Sequence, residues 1–135
     1  MITGVPRPIP SDKTRFYWDG AREGRLLIQR CEACGTWQHP PDVGCPKCLT
    51  DEPVPTEVSG RGSVYSFTVV RQAFDPAFAD QLPFVVALVE LEEAPTVRIL
   101  TNIVDADPAD VRVGLPVEVT FENHGDWALP QFRPC

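Results

Sequence analysis

Four of the five cysteines fall into two pairs, Cys31/Cys34 and Cys45/Cys48, spaced C-x2-C-x10-C-x2-C. Each pair sits in a tight turn, CEACG and CPKCL, that can aim two thiolates at one point. Two such knuckles facing each other supply four sulfurs at tetrahedral angles, about 2.3 Å from a Zn²⁺ ion. Gly35 suits the positive φ that closes the first knuckle, and Pro46 presets the turn of the second. Two disulfides would suit a small secreted domain, but the opening stretch MITGVPRPIPSDK lacks the apolar segment of a secretory signal. A thioredoxin-type redox pair needs a helix N-terminus in a βαβ unit, which the pattern does not offer. Iron in a rubredoxin-like site uses the same ligands, so zinc is the expected metal and iron stays open. Four thiolates fill the coordination sphere, which makes the metal structural. It would contribute about 10 kcal/mol to a ribbon too small to hold its own core. Cys135 reads as a free thiol on a frayed end.

The rest of the chain must fold around that ribbon. At 135 residues it has the length of one ordinary domain or two very small ones. Fifteen prolines and nine glycines, scattered from Pro6 to Pro134, exclude long helices and point to short strands and turns. Residues 1–10, with Pro6, Pro8 and Pro10, are expected to be extended or mobile. Ser11 and Asp12 offer N-cap chemistry for a short helix from Lys13 to about Glu23, weakened by Gly20 and ended by Gly24. Leu26–Gln29 is a strand entering the first knuckle. LTDEPVPT (49–56) looks like an acidic, proline-bearing connector.

From about Glu57 the period is two. GSVYSFTVVR (62–71) alternates, with Val64, Ser66 and Thr68 on one side and Tyr65, Phe67 and Val69 on the other. Strands follow at 84–92, 97–104, 117–121 and about 129–132, the first two joined by a turn at Glu93-Ala-Pro95. Five strands with no helical period between them predict a small closed barrel of OB type. The expected class is mainly β: a tail and short helix over 1–30, a rubredoxin-like zinc ribbon over 31–52, and a five-stranded OB-type barrel over 57–135.

Candidate binding residues lie in two places. Phe16, Tyr17 and Trp18 span about 200° of a helix, too wide for one buried stripe, so they divide between core and a partner or ligand surface. The long connection Gln72–Pro83, just after Arg71, carries Phe74 and Phe78, which either bind or plug the barrel end. No nucleophile elbow, phosphate-binding loop or dinucleotide fingerprint is present. His39 is expected on a surface loop. His124 falls in a turn-like ENHGD segment where it could pair with Asp126, and Glu92-Glu93 mark an exposed hairpin end. Nothing assembles a catalytic constellation.

Charge narrows the partners. Residues 61–135 hold 5 basic and 11 acidic side chains, residues 1–60 hold 7 and 8, and the total is −7. An OB surface that tracks single-stranded nucleic acid needs a basic groove, so the alternative of a nucleic-acid-binding ribbon and barrel is disfavoured. The longest apolar run, Phe84–Val89, is far too short for a membrane span. A cytoplasmic location is expected.

The order of these motifs carries a resemblance. FYWDGAREGRLLIQRC runs into C-x2-C-G, then PP and C-P-x-C, followed by G-x-G-S-V-Y-S-F-T, P-F-V-V-A-L-V-E-L and G-L-P-V-E-V-x-F. From about Phe16 to the end, the chain resembles the zinc-ribbon OB-fold proteins of the domain-of-unknown-function 35 family, also called acyl-CoA-associated OB-fold proteins. The resemblance implies a non-catalytic accessory subunit. Its partners would be thiolases, lipid-transfer-protein-like aldolases or related acyl-CoA enzymes, as in the degradation of steroid side chains. It also implies that the four cysteines are zinc ligands and that Phe16, Trp18, Gly20 and Gly24 belong to an N-terminal helical signature. A hetero-oligomer bordering the CoA channel is the expected assembly, with Phe16, Tyr17, Trp18, Arg22, Arg25, Arg71, Phe74 and Phe78 as candidate contacts to partner or acyl-CoA. Arg15 and Arg30 join Arg22 and Arg25 as candidates for the adenosine phosphates. Relatives also occur fused to a hot-dog-fold hydratase, whereas this chain, opening on Met1, reads as free-standing.

Overall fold

The computed structural model describes residues 6–135. The part of the expected extended tail that covers residues 1–5 lies outside the described residues. Helix α1 (Arg15–Arg22) leads into β1 (Leu27–Cys31), β2 (Trp37–Gln38) and β3 (Pro53–Glu57). The helix begins later than Ser11 and Asp12 suggest. Thr14 is its N-cap, and the Ser11 carbonyl accepts from the Thr14 and Arg15 amides. Gly24, at φ 74°, ends it as expected, with its amide donating to Ala21 O. Gly20 is more than a weak point. A Cβ there would come within 2.8 Å of Leu27 Cδ1, so glycine lets the helix lie close on β1.

The ribbon strands form one antiparallel sheet in the order β2-β1-β3. The segment expected as a connector therefore contains a strand: Pro53 to Glu57 pairs with Cys31 to Leu27 residue for residue. An edge position explains the prolines, because β3 needs hydrogen bonds on one side alone. Val58 N–H donates to Leu26 O and prolongs the pairing toward the barrel.

Five strands then close the barrel: β4 (Arg61–Val70), β5 (Phe84–Leu91), β6 (Arg98–Ile103), β7 (Pro116–Asn123) and β8 (Ala128–Pro134), in the order β4-β5-β6-β8-β7. Short 3-10 turns occupy Pro76–Gln81 and Pro108–Asp110. The alternation on β4 differs from expectation. A bulge between Val64 and Ser66 shifts the register, so Val64 shares the core side with Phe67 and Val69 while Tyr65 is exposed. Arg98 lies over the Tyr65 ring at 3.9 Å. Gly62 is required where β4 meets β5, since a Cβ there would collide with the Glu90 carbonyl oxygen.

One core joins ribbon and barrel. Tyr17, Leu26, Ile28 and Val58 belong to the same buried cluster as Val64, Val89, Leu91, Val117 and Phe132. Cys135 is not frayed: it is exposed, but its amide donates to Pro116 O at 3.2 Å. Among the described residues, no helix is long and apolar enough to cross a membrane.

Candidate metal centre and partner surface

Cys31 ends β1, Cys34 follows in the turn, and Cys45 and Cys48 bracket the second knuckle. All four sulfurs lie within 4.8 Å of one another. Across the knuckles, Cys31 Sγ is 3.6 Å from Cys48 Sγ, and Cys34 Sγ is 3.6 Å from Cys45 Sγ. A tetrahedron with Zn–S bonds of about 2.3 Å has edges of about 3.8 Å, so the four sulfurs fit zinc with little adjustment.

The two knuckles repeat one backbone design. Gly35 N–H donates to Cys31 O and Leu49 N–H to Cys45 O; Cys31 N–H donates to Thr36 O and Cys45 N–H to Thr50 O. The residue after the second cysteine is left-handed in both, with φ 76° at Gly35 and 64° at Leu49. The next residue is a threonine whose hydroxyl meets a sulfur: Thr36 Oγ1 lies 3.1 Å from Cys34 Sγ, and Thr50 Oγ1 3.1 Å from Cys48 Sγ. Sequence reasoning missed these hydroxyls. The repeated C-x-T of CGT and CLT is the signal that shows them.

These contacts favour the thiolate at Cys31 and Cys34 and not at Cys45. Burial opposes the charged form of Cys31, but hydrogen bonds from the Thr50 hydroxyl, the Cys34 and Ala33 amides and Cys48 outweigh it and hold the thiol down to about 6. The Thr36 hydroxyl and amide lower Cys34 against its desolvation. At Cys45 the Cys48 amide lowers the thiol, yet burial and the neighbouring Cys34 and Cys48 sulfurs raise it overall. The centre is a structural zinc site. Its four sulfurs leave no position for water or substrate.

The candidate contact residues separate. Tyr17 is in the core, which corrects its placement on a binding surface, and burial raises its hydroxyl well above the usual range. Phe16 and Trp18 are half-buried against the same core. Arg22 pairs with Asp19 at 3.5 Å, Arg25 with Glu57 at 3.0 Å and Arg15 with Asp12 at 3.8 Å, while Arg30 stacks over Trp37. Each of these arginines is engaged by its own neighbours. Arg71 is exposed and makes no ion pair among the described residues. Phe74 and Phe78 divide: Phe74 is 88% exposed, whereas Phe78 packs on Phe84 with centroids 6.0 Å apart.

The histidines also depart from expectation. His39 packs beside Tyr17, and burial pushes its pKa down to about 4. His124 stacks on Trp127 and pairs with Glu122 at 2.6 Å, leaving Asp126 to Arg7. Glu93, at the exposed hairpin end, accepts hydrogen bonds from the Ser59 amide and hydroxyl.

Comparison with known proteins follows the same division. Residues 18–54 match the ChsH2 rubredoxin-like zinc ribbon domain, and residues 55–122 match the ChsH2 C-terminal OB-fold domain. The chain is 42% identical over 108 residues to a DUF35 domain-containing scaffold protein of Methanocaldococcus jannaschii, covering 78% of this chain and 74% of that protein. It is 43% identical over 131 residues to the 3-oxo-4,17-pregnadiene-20-carboxyl-CoA hydratase alpha subunit of Mycobacterium tuberculosis. That match covers 95% of this chain but spans 40% of the relative's length. Among solved structures, a chain of the Ltp2-ChsH2(DUF35) aldolase superposes with a TM-score of 0.85 at 40% identity, over 95% of this chain and 98% of that one.

Proposed function

Because the chain belongs to the DUF35 family of zinc-ribbon OB-fold proteins, we propose that it is a non-catalytic accessory subunit of an acyl-CoA-processing enzyme of aldolase or thiolase type. The observation that carries this reading is the likeness to the chain from the Ltp2-ChsH2(DUF35) aldolase, which extends over nearly the whole of both chains. A metal centre closed by four thiolates supports a structural role for the zinc. The acidic barrel half supports a protein partner over a phosphate backbone.

The relative from M. tuberculosis suggests the substrate class, a CoA thioester on a shortened steroid side chain. Contacts to the partner or its acyl-CoA would come from the accessible candidates: Phe16, Trp18, Arg22, Arg25, Arg71, Phe74 and Phe78. Co-expression with an Ltp2-type aldolase tests the reading. A single co-eluting complex on size exclusion, with aldolase activity higher than for the aldolase alone, is expected. Separate elution with a fully active lone aldolase overturns it.

A further inference from the structure

On the outer face of the barrel, where β6 meets β8, four strands contribute to one recess of about 90 Å³. Val85, Ile103 and Phe132 are buried in the core, so their neighbours Phe84, Asn102 and Gln131 face outward by strand alternation. Glu122 of β7, Phe78 and Gln81 of the 3-10 turn, and the apolar Ile103 and Val104 complete the lining. No lysine or arginine lines it.

The polar groups here are unusually unspent. Gln131 is 8% exposed, yet its side chain makes no hydrogen bond among the described residues. Its carboxamide lines the recess and is not sealed from solvent, so a bound group can take the place of water as its hydrogen-bond partner. Asn102 uses its Nδ2 on Val85 O at 2.9 Å, which leaves its side-chain oxygen as an acceptor. Glu122 gives one oxygen to His124, whose ring is fixed by stacking on Trp127; the other oxygen has no partner among the described residues. The recess thus offers one carboxylate oxygen and carboxamide oxygens beside two aromatic rings.

We propose that this recess receives a guanidinium group, the head of an arginine side chain from the partner protein. A volume of about 90 Å³ holds about three water-sized groups, which matches three guanidinium nitrogens. Guanidinium carries five donors and no acceptor, lies flat against aromatic rings, and suits a site rich in acceptors with a single negative charge. Complementarity extends further out, because residues 61–135 carry six more acidic than basic side chains. The origin of the arginine rests on the accessory-subunit reading; the recess itself does not.

The test uses the isolated full chain and ethylguanidinium chloride, followed through the side-chain amide NMR signals of Gln131, Asn102 and Gln81. Saturable shifts of all three are expected at constant ionic strength, with no response to ethylurea. Glu122→Gln and, independently, Gln131→Leu should each weaken binding about tenfold while leaving the backbone spectrum folded. A linear, unsaturable response overturns the proposal, and so does equal binding of ethylurea, which would mark a site for a neutral amide. Tighter binding of free L-arginine than of ethylguanidinium overturns the assignment to a partner's side chain. A chain that binds ethylguanidinium but forms no enzyme complex contradicts the accessory-subunit reading alone.

Discussion

The ring of Tyr17 lies against the imidazole of His39, centroids 5.2 Å apart and planes tilted by 37°. One residue belongs to the helix and the other follows β2 of the ribbon, so this contact seals the two together. Its chemistry has a pH dependence. His39 is held neutral by burial down to about pH 4, whereas in the unfolded chain it protonates near 6.5. Between those values the unfolded state binds more protons, so stability rises with pH across that window and is lost as pH falls through it. The loss is at most about 1.4 kcal/mol per pH unit. Thermal melts from pH 6.5 to 4.5 should fall more steeply for the wild type than for His39→Phe, which cancels the contribution of the thiolates common to both. An imidazole midpoint near 6.5 by NMR would refute this.

Removing the metal should unfold more than the ribbon. Cys45 is 2% exposed, and the ribbon residues Leu26 and Ile28 share the barrel's core. Cys45→Ser is expected to abolish stoichiometric zinc by elemental analysis and to lower Tm by at least about 10 °C in a single shifted transition. Two separate transitions, with the barrel melting where it did before, would show that the core is not shared.

The matched left-handed positions of the knuckles give an asymmetric pair of substitutions. Gly35→Ala places a Cβ at φ 76° and should destabilise by about 1 kcal/mol. Leu49, 84% exposed at φ 64°, has a side chain that adds strain with little burial. Leu49→Gly should therefore leave stability unchanged or raise it by up to about 1 kcal/mol in chemical denaturation. A large loss at Leu49→Gly would mean that its side chain holds the knuckle.

Phe74 separates binding from folding. At 88% exposure it contributes little to the core, and Phe74→Ala should move Tm by no more than about 2 °C. If the loop grips the partner, the same variant weakens the complex with the aldolase at least about tenfold by calorimetry. Unchanged affinity would remove Phe74 from the contact surface.

Much of the architecture is written locally and so can be read from sequence. The cysteine spacing dictates the ribbon, and the almost continuous apolar run at 84–92 and the period-two run at 117–121 become β5 and β7 with nearly the expected ends. What escapes is what depends on position in a sheet. Pro53 and Pro55 look like a linker until β1 is known to lie on one side of them and, among the described residues, no strand on the other. Tyr65 looks inward until the bulge beside it is seen. Tyr17 and His39 acquire their burial from each other across separate elements. The recess is assembled from four strands and a turn, so no window of sequence contains it.

Between Glu57 of β3 and Arg61 of β4 run three residues with no slack. Val58 is hydrogen-bonded to Leu26, Ser59 is held by Glu93, and Gly60 packs so closely on Val119 that a Cβ would overlap it. Zinc knuckles and barrel thus behave as two jaws of one calliper, set at a single opening. A molecule that touches both is measured against a fixed length, and loss of the metal would change that length as well as the ribbon.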